Sequence, residues 1–104
     1  MITIRQSRNE NILVFAVEGV LDIFTVDDFD AALTEVTGVQ KLVIDLSAVT
    51  FLDSTGIGAI LRAIYQGQDH GFTVELSGMN EEIKELFDTV GILRVLEALQ
   101  KGER

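Results

Sequence analysis

Leu42-Val43-Ile44-Asp45-Leu46 and, a few residues on, Phe51-Leu52-Asp53-Ser54-Thr55-Gly56-Ile57-Gly58 are the stretches that decide the architecture. The first is nearly all apolar, which predicts a central strand covered on both sides or packed under helices. The second breaks that run with polar residues and glycines. Beyond it Ile57, Ile60, Leu61 and Ile64 recur at helical spacing, with Arg62, Gln66 and Asp69 on the opposite side. A buried strand that runs into an amphipathic helix puts the intervening polar segment at the carboxyl end of the sheet, where α/β folds place their sites.

Upstream, Ile2 and Ile4 alternate with Thr3 and Arg5, a half-buried strand pattern, and the polar residues 6–11 read as a turn. Residues 12–17 are β-branched-rich and predict a second strand joined to the first as a hairpin. Residues 19–24 read as a loop. Thr25 with Asp28 three residues on resembles a capping box, opening a helix whose buried face carries Phe29, Leu33 and Val36 beside Ala32; Gly38 would end it. Downstream, Gly71 terminates the second helix and residues 72–76 alternate as a strand. Asn80 can cap a third helix with the stripe Ile83, Leu86, Phe87 and Val90, and Gly91 suits its left-handed end. Residues 92–99 fit a short strand or a final helix equally. The order ββαβαβα predicts one α/β domain over residues 1–104. Its sheet is mixed, mostly parallel, of four to five strands, with an antiparallel opening hairpin and helices packed against it.

Composition excludes several functions. Against 8 Lys and Arg stand 17 Asp and Glu, a net charge of −9, so neither nucleic acid nor an anionic membrane surface is an expected partner. There is no Cys, hence no disulfide, no thiol nucleophile and no Cys-based zinc site, and a single histidine, His70, leaves little for a metal. The first residues lack a basic segment followed by an apolar core, and the longest apolar run, residues 12–17, is far short of the roughly 20 residues that span a bilayer. The expectation is a cytoplasmic protein.

Enzyme constellations fail in turn. Gly56-x-Gly58 is followed by Leu61 and no Lys is near, so neither nucleotide-loop pattern is met. A hydrolase elbow would need Gly where Leu52 stands. His70 precedes Gly71 at a helix end, where a protonated imidazole complements the dipole. Asp27, Asp28, Glu81 and Glu82 fall in first helical turns, where acids are expected anyway. Two readings of residues 53–56 remain. In one they cap a helix, Ser54 accepting from first-turn amides and Asp53 favouring the positive end. In the other, Ser54 is a hydroxyl open to phosphorylation: the phosphate would be tolerated at a helix N-terminus, yet burying an unpaired dianion at an interface costs on the order of several kcal/mol, and each ~1.4 kcal/mol is tenfold in affinity. Modification there would be mild for folding and decisive for binding.

Phe51-Leu52-Asp53-Ser54-Thr55-Gly56-Ile57-Gly58 resembles the phosphorylation segment F-M-D-S-[ST]-G-[LIV]-G of the STAS family of bacterial anti-sigma factor antagonists. Residues 17–22 (V-E-G-V-L-D) are similar to that family's G-E-L-D loop, residues 43–47 (V-I-D-L-S) to its central strand, and residues 83–92 (I-K-E-L-F-D-T-V-G-I) to its late helix and exit. The resemblance implies the STAS fold and a partner-switching cycle. The unmodified antagonist binds an anti-sigma factor that is also a serine kinase and releases a sigma factor; the kinase phosphorylates the antagonist and frees itself; a PP2C-like phosphatase reverses the mark. It implies Ser54 as phosphoacceptor, and Asp22, Asp53, Thr55, Gly56 and Ile57, with Ile60 beyond them, as partner contacts. ATP and magnesium would belong to the kinase, and this chain would carry no cofactor, with a monomer as default. The setting implied is signal transduction and transcription regulation of the stress-response kind. Val20 departs from the pattern where an acid is usual, and Leu52 replaces Met at conserved volume. The competing reading is an accessory subunit of a transporter that docks constitutively. Glu18, Asp22, Asp27, Asp28, Asp30 and Glu35 fall in a stretch with no Lys or Arg between Arg8 and Lys41, which predicts a basic or neutral partner.

Overall fold

The computed structural model describes residues 1–91 together with positions 94 and 98. Strand β1 (Ile2–Asn9) turns through Glu10 and Asn11 into β2 (Ile12–Leu21), followed by α1 (Val26–Thr34), β3 (Lys41–Leu52), α2 (Ser54–His70), β4 (Thr73–Ser77) and α3 (Glu81–Val90). Among the described residues the sheet has four strands in the order β1-β2-β3-β4, the hairpin antiparallel and the other two pairings parallel. This is the expected α/β architecture. No described helix is long and apolar enough to cross a membrane.

The sheet is covered on one face. Leu13, Phe15 and Val17 of β2, Leu42, Ile44 and Leu46 of β3 and Val74 of β4 are buried, while Val14, Ala16, Val43 and Asp45 between them are only half-buried. Against the buried face pack Phe29 and Leu33 of α1, Ile57, Ile60, Ala63 and Ile64 of α2, and Ile83 and Phe87 of α3. The Phe15 and Phe29 rings meet edge-on at 6.1 Å, a geometry that adds about 0.5–1.5 kcal/mol to area burial. The helices are tied to each other by the Arg62 guanidinium, which forks onto the Asp30 carboxylate at 3.2 and 2.9 Å, and by Gln66 Nε2 donating to the Leu33 carbonyl. The central strand is thus alternating in burial, covered by helices on one side only.

Several boundaries depart from the sequence expectation. Residues 6–9 are strand, because β1 is the sheet edge: there neither face is buried, so no apolar alternation marks it. The expected loop at 19–24 begins only at Asp22, since Leu21 is fully buried and pairs with Leu52. Helix α1 stops at Thr34 rather than at Gly38, the Glu35 amide bonding back to the Ala32 carbonyl and the Val36 amide to that of Leu33, although Val36 still packs into the core. The expected capping box is absent: the Thr25 side chain caps nothing in α1. As expected, Gly71 and Gly91 close α2 and α3 in the left-handed conformation, and Asn80 Oδ1 accepts from the Ile83 amide at 2.8 Å. Residues 92–99 fall almost wholly outside the described residues, as does the side chain of Val90.

Candidate functional site

Strands β2 and β3 run parallel and end together, Leu21 opposite Leu52. Because neighbouring strands lie about 4.8 Å apart, the segment leaving β2, Asp22 to Thr25, stands beside the one leaving β3, Asp53 to Gly56. The pairing is not regular on the way. Between Ala16 and Glu18, and again between Gly19 and Val20, β3 carries one more residue than β2. Such bulges bend a strand and re-aim its side chains: after the second, Phe51 is exposed and Leu52 buried, and the chain enters α2 with Asp53 at the rim. Gly19 takes φ 98 here and lies so close to the Met1 carbonyl that a Cβ would overlap it, which explains a glycine at this point of the second strand.

The helix start is organised by Asp53. Its backbone is extended, and its Oδ1 accepts from the Gly56 amide at 3.0 Å while its carbonyl accepts from Ile57. The cap is therefore the aspartate and not Ser54, which corrects the capping reading of the serine. Ser54 is the first helical residue, is exposed, and makes no hydrogen bond to another described side chain or loop amide. Thr55 is half-buried. Gly56 is buried against the end of β2: a Cβ there would overlap the Leu21 carbonyl oxygen and press on the Leu52 and Leu21 side chains. It is this close approach that brings Ser54 alongside the Asp22 loop. Ile57 and Ile60, expected as partner contacts, are 6% and 0% exposed and belong to the core. Their place in the stripe that faces the sheet removes them from any outward surface.

Asp22 is half-buried and works within its own loop. Its Oδ1 accepts from the Phe24 amide at 2.9 Å, its carbonyl accepts from the Thr25 and Val26 amides, and its own amide donates to Thr25 Oγ1 at 2.9 Å. Thr25 Oγ1 in turn donates to the Val20 carbonyl. Thr25 is the only buried polar residue among those described, and no described buried side-chain atom lacks a partner. The turn pushes Ile23 and Phe24 outward, 65% and 89% exposed. Sequence reasoning passed over both. The available signal was two large apolar residues directly after a turn-forming Asp, in a segment too short to bury them.

Comparisons with known proteins give the family to which this fold belongs. The model of the STAS domain matches residues 3–102. An anti-sigma-B factor antagonist of Staphylococcus epidermidis is 28% identical over 78 residues, covering 73% of this chain and 72% of the relative. Among solved structures, an antisigma-factor antagonist STAS domain from Rhodobacter sphaeroides superposes with a TM-score of 0.67 at 27% identity, over 77% of this chain and 89% of that one. A sulfate transporter family protein from Wolinella succinogenes reaches 0.75 at 16% identity, over 83% and 71%, a likeness of fold alone. With the matched region running through the hairpin, both βα junctions and the third helix, the chain belongs to the STAS domain family.

Proposed function

We propose that this protein is an anti-sigma factor antagonist in a partner-switching system. In its unphosphorylated form it docks, through the rim formed by Asp22, Asp53 and Thr55, on an anti-sigma factor that is also a serine kinase; Gly56 sets the rim's geometry. Phosphorylation of Ser54 ends the docking, and a PP2C-like phosphatase restores it. ATP and magnesium are the kinase's; this chain is substrate and ligand, and acts in the cytoplasm.

The observation that carries the reading is the division of labour at the start of α2, where Asp53 makes the cap while Ser54 is exposed and its hydroxyl bonds to no other described side chain. A phosphate on that hydroxyl meets the positive end of a 17-residue helix on one side and the Asp53 carboxylate on the other. These effects are of opposite sign and similar size, roughly 0.3–1 kcal/mol when exposed, so folding tolerates the group. A partner that covers Ser54 must bury a dianion, at a cost on the order of several kcal/mol. Adding about two charges to −9 changes the whole little, so the switch is local. The anti-sigma factor antagonists among the similar proteins support the same reading.

The test is incubation with the candidate kinase and ATP, followed by digestion and location of the phosphate. Phosphate on Ser54, with loss of kinase binding, is the expected result; modification only elsewhere, or none, overturns the proposal. Ser54→Ala should still bind and resist modification. Constitutive docking on a transporter would instead leave binding indifferent to phosphorylation.

A further inference from the structure

The Asp22–Thr25 loop presents Ile23 and Phe24 to solvent while spending its hydrogen bonds on staying in shape. Among the described residues Phe24 is the most exposed large apolar side chain after Met1, at 89%, and Ile23 follows at 65%. Neither is loose. The Phe24 amide is held by Asp22 Oδ1, the following Thr25 is buried and bonded to both Val20 and Asp22, and Val26 starts α1 from the Asp22 carbonyl. An exposed aromatic on a fixed turn loses little side-chain and loop freedom on binding, which is the property of a preorganised anchor.

Its surroundings define what it fits. Asp22 stands in the same turn and holds the Phe24 amide, Asp53 begins the neighbouring segment across the Leu21–Leu52 register, exposed Asp27 and Asp28 lie in the first turn of α1, and no Lys or Arg occurs between Arg8 and Lys41. Phe51, the other exposed aromatic of this edge, lines a separate open groove with Ile83 and Leu86 of α3 and does not belong to the knob. An apolar knob in an acidic stretch matches an apolar pocket with a basic rim.

We propose that Ile23 and Phe24 are the affinity anchor of the docking face, inserting into an apolar, Lys/Arg-rimmed pocket on the partner kinase, while Ser54 beside them serves as the gate. This rests on the partner-switching function proposed above. Anchor and gate are then separable: the anchor sets how tightly the unmodified chain binds, and the gate sets whether it binds at all. Large apolar anchors in a desolvated pocket are binding hot spots.

The experiment measures binding of wild type, Phe24→Ala, Ile23→Ser and Tyr65→Ala to the kinase that modifies Ser54, at two salt concentrations, with thermal melts in parallel. Tyr65 is the control, an aromatic 50% exposed on α2 and, at 1.5 Å per residue, about 16 Å along the helix from Ser54. Phe24→Ala should weaken binding at least about 30-fold, the hot-spot threshold of ~2 kcal/mol converted at ~1.4 kcal/mol per tenfold. Its melting temperature should match wild type, and its phosphorylation should slow through a raised KM. Ile23→Ser should weaken binding less, Tyr65→Ala should not change it, and wild-type affinity should fall with salt. If phosphorylation of Ser54 abolishes binding but Phe24→Ala binds like wild type, the anchor is overturned and the function stands. Salt-independent binding overturns the basic rim, and Phe24-dependent sedimentation with lipid vesicles in place of kinase binding overturns the protein partner. A kinase that neither binds nor modifies the wild-type chain removes both proposals.

Discussion

The β2–α1 and β3–α2 junctions lie side by side at the carboxyl end of the two central strands, and both are built from an aspartate and a hydroxyl residue. At the first, the hydroxyl is part of the fold: Thr25 is buried and bridges Val20 to Asp22, and the Asp22 carboxylate holds the Phe24 amide. At the second, the Asp53 carboxylate makes the cap, Gly56 closes the approach to β2, and Ser54 is exposed. One hydroxyl holds a loop in place, the other is held in place by its neighbours. A hydroxyl that contributes nothing to folding can be modified, removed and restored without refolding the protein, and the Thr25 hydroxyl could not be.

The comparison breaks most severely at Gly56, which keeps the junctions together. Gly56→Ala puts a methyl group into the Leu21 carbonyl, backbone that cannot step aside as a flexible side chain would. Overpacking typically costs about 1–3 kcal/mol, and here the effect should reach about 3 kcal/mol or more, read as a lowered denaturation midpoint with loss of Ser54 phosphorylation. Next comes Thr25→Val, which keeps the shape and deletes the hydroxyl, stranding the Val20 carbonyl and the Asp22 amide. A loss of about 1–3 kcal/mol is expected, measured by urea unfolding. An unchanged midpoint would mean that the first junction is not held by its hydroxyl.

How far these features were legible follows from what a sequence pattern registers. Helix α2, with Ile57, Ile60 and Ile64 on one stripe, and α3 with Asn80 before Ile83 and Phe87 announce themselves because one face of each meets the core. The outer half of β1 does not, since an edge strand with both faces in water needs no alternation. The end of β2 was hidden by Gly19 and by the bulges, which break the period of two where the chain is re-aimed. At the site, the motif around Ser54 marks the position but not the roles. Ile57 reads as part of the motif and is core, whereas Ile23 and Phe24 lie outside every apolar period and turn out to be exposed. Thr25 and Ser54 both sit at helix starts; what separates them is their surroundings in space, the Val20 carbonyl for one and the Leu21–Gly56 approach for the other.

The smaller effects test the second junction from within. Asp53→Ala removes the cap of α2 and should cost about 1 kcal/mol, in a range of roughly 0.5–2, with Asp53→Asn recovering most of it because the amide oxygen can still accept from Gly56. Should Asp53→Ala prove neutral, the serine would be carrying the cap after all. Ser54→Ala is the smallest in stability, within about 0.5 kcal/mol of wild type, as for surface substitutions that touch nothing structural. It is also the sharpest, because the same substitution should abolish phosphorylation completely and leave kinase binding permanent. A melting curve that overlays wild type beside a chain that can no longer be switched off would show that fold and function part company at a single oxygen atom. A destabilisation comparable to that of Thr25→Val would instead place both hydroxyls in the same structural service, and a site so used could not be modified reversibly.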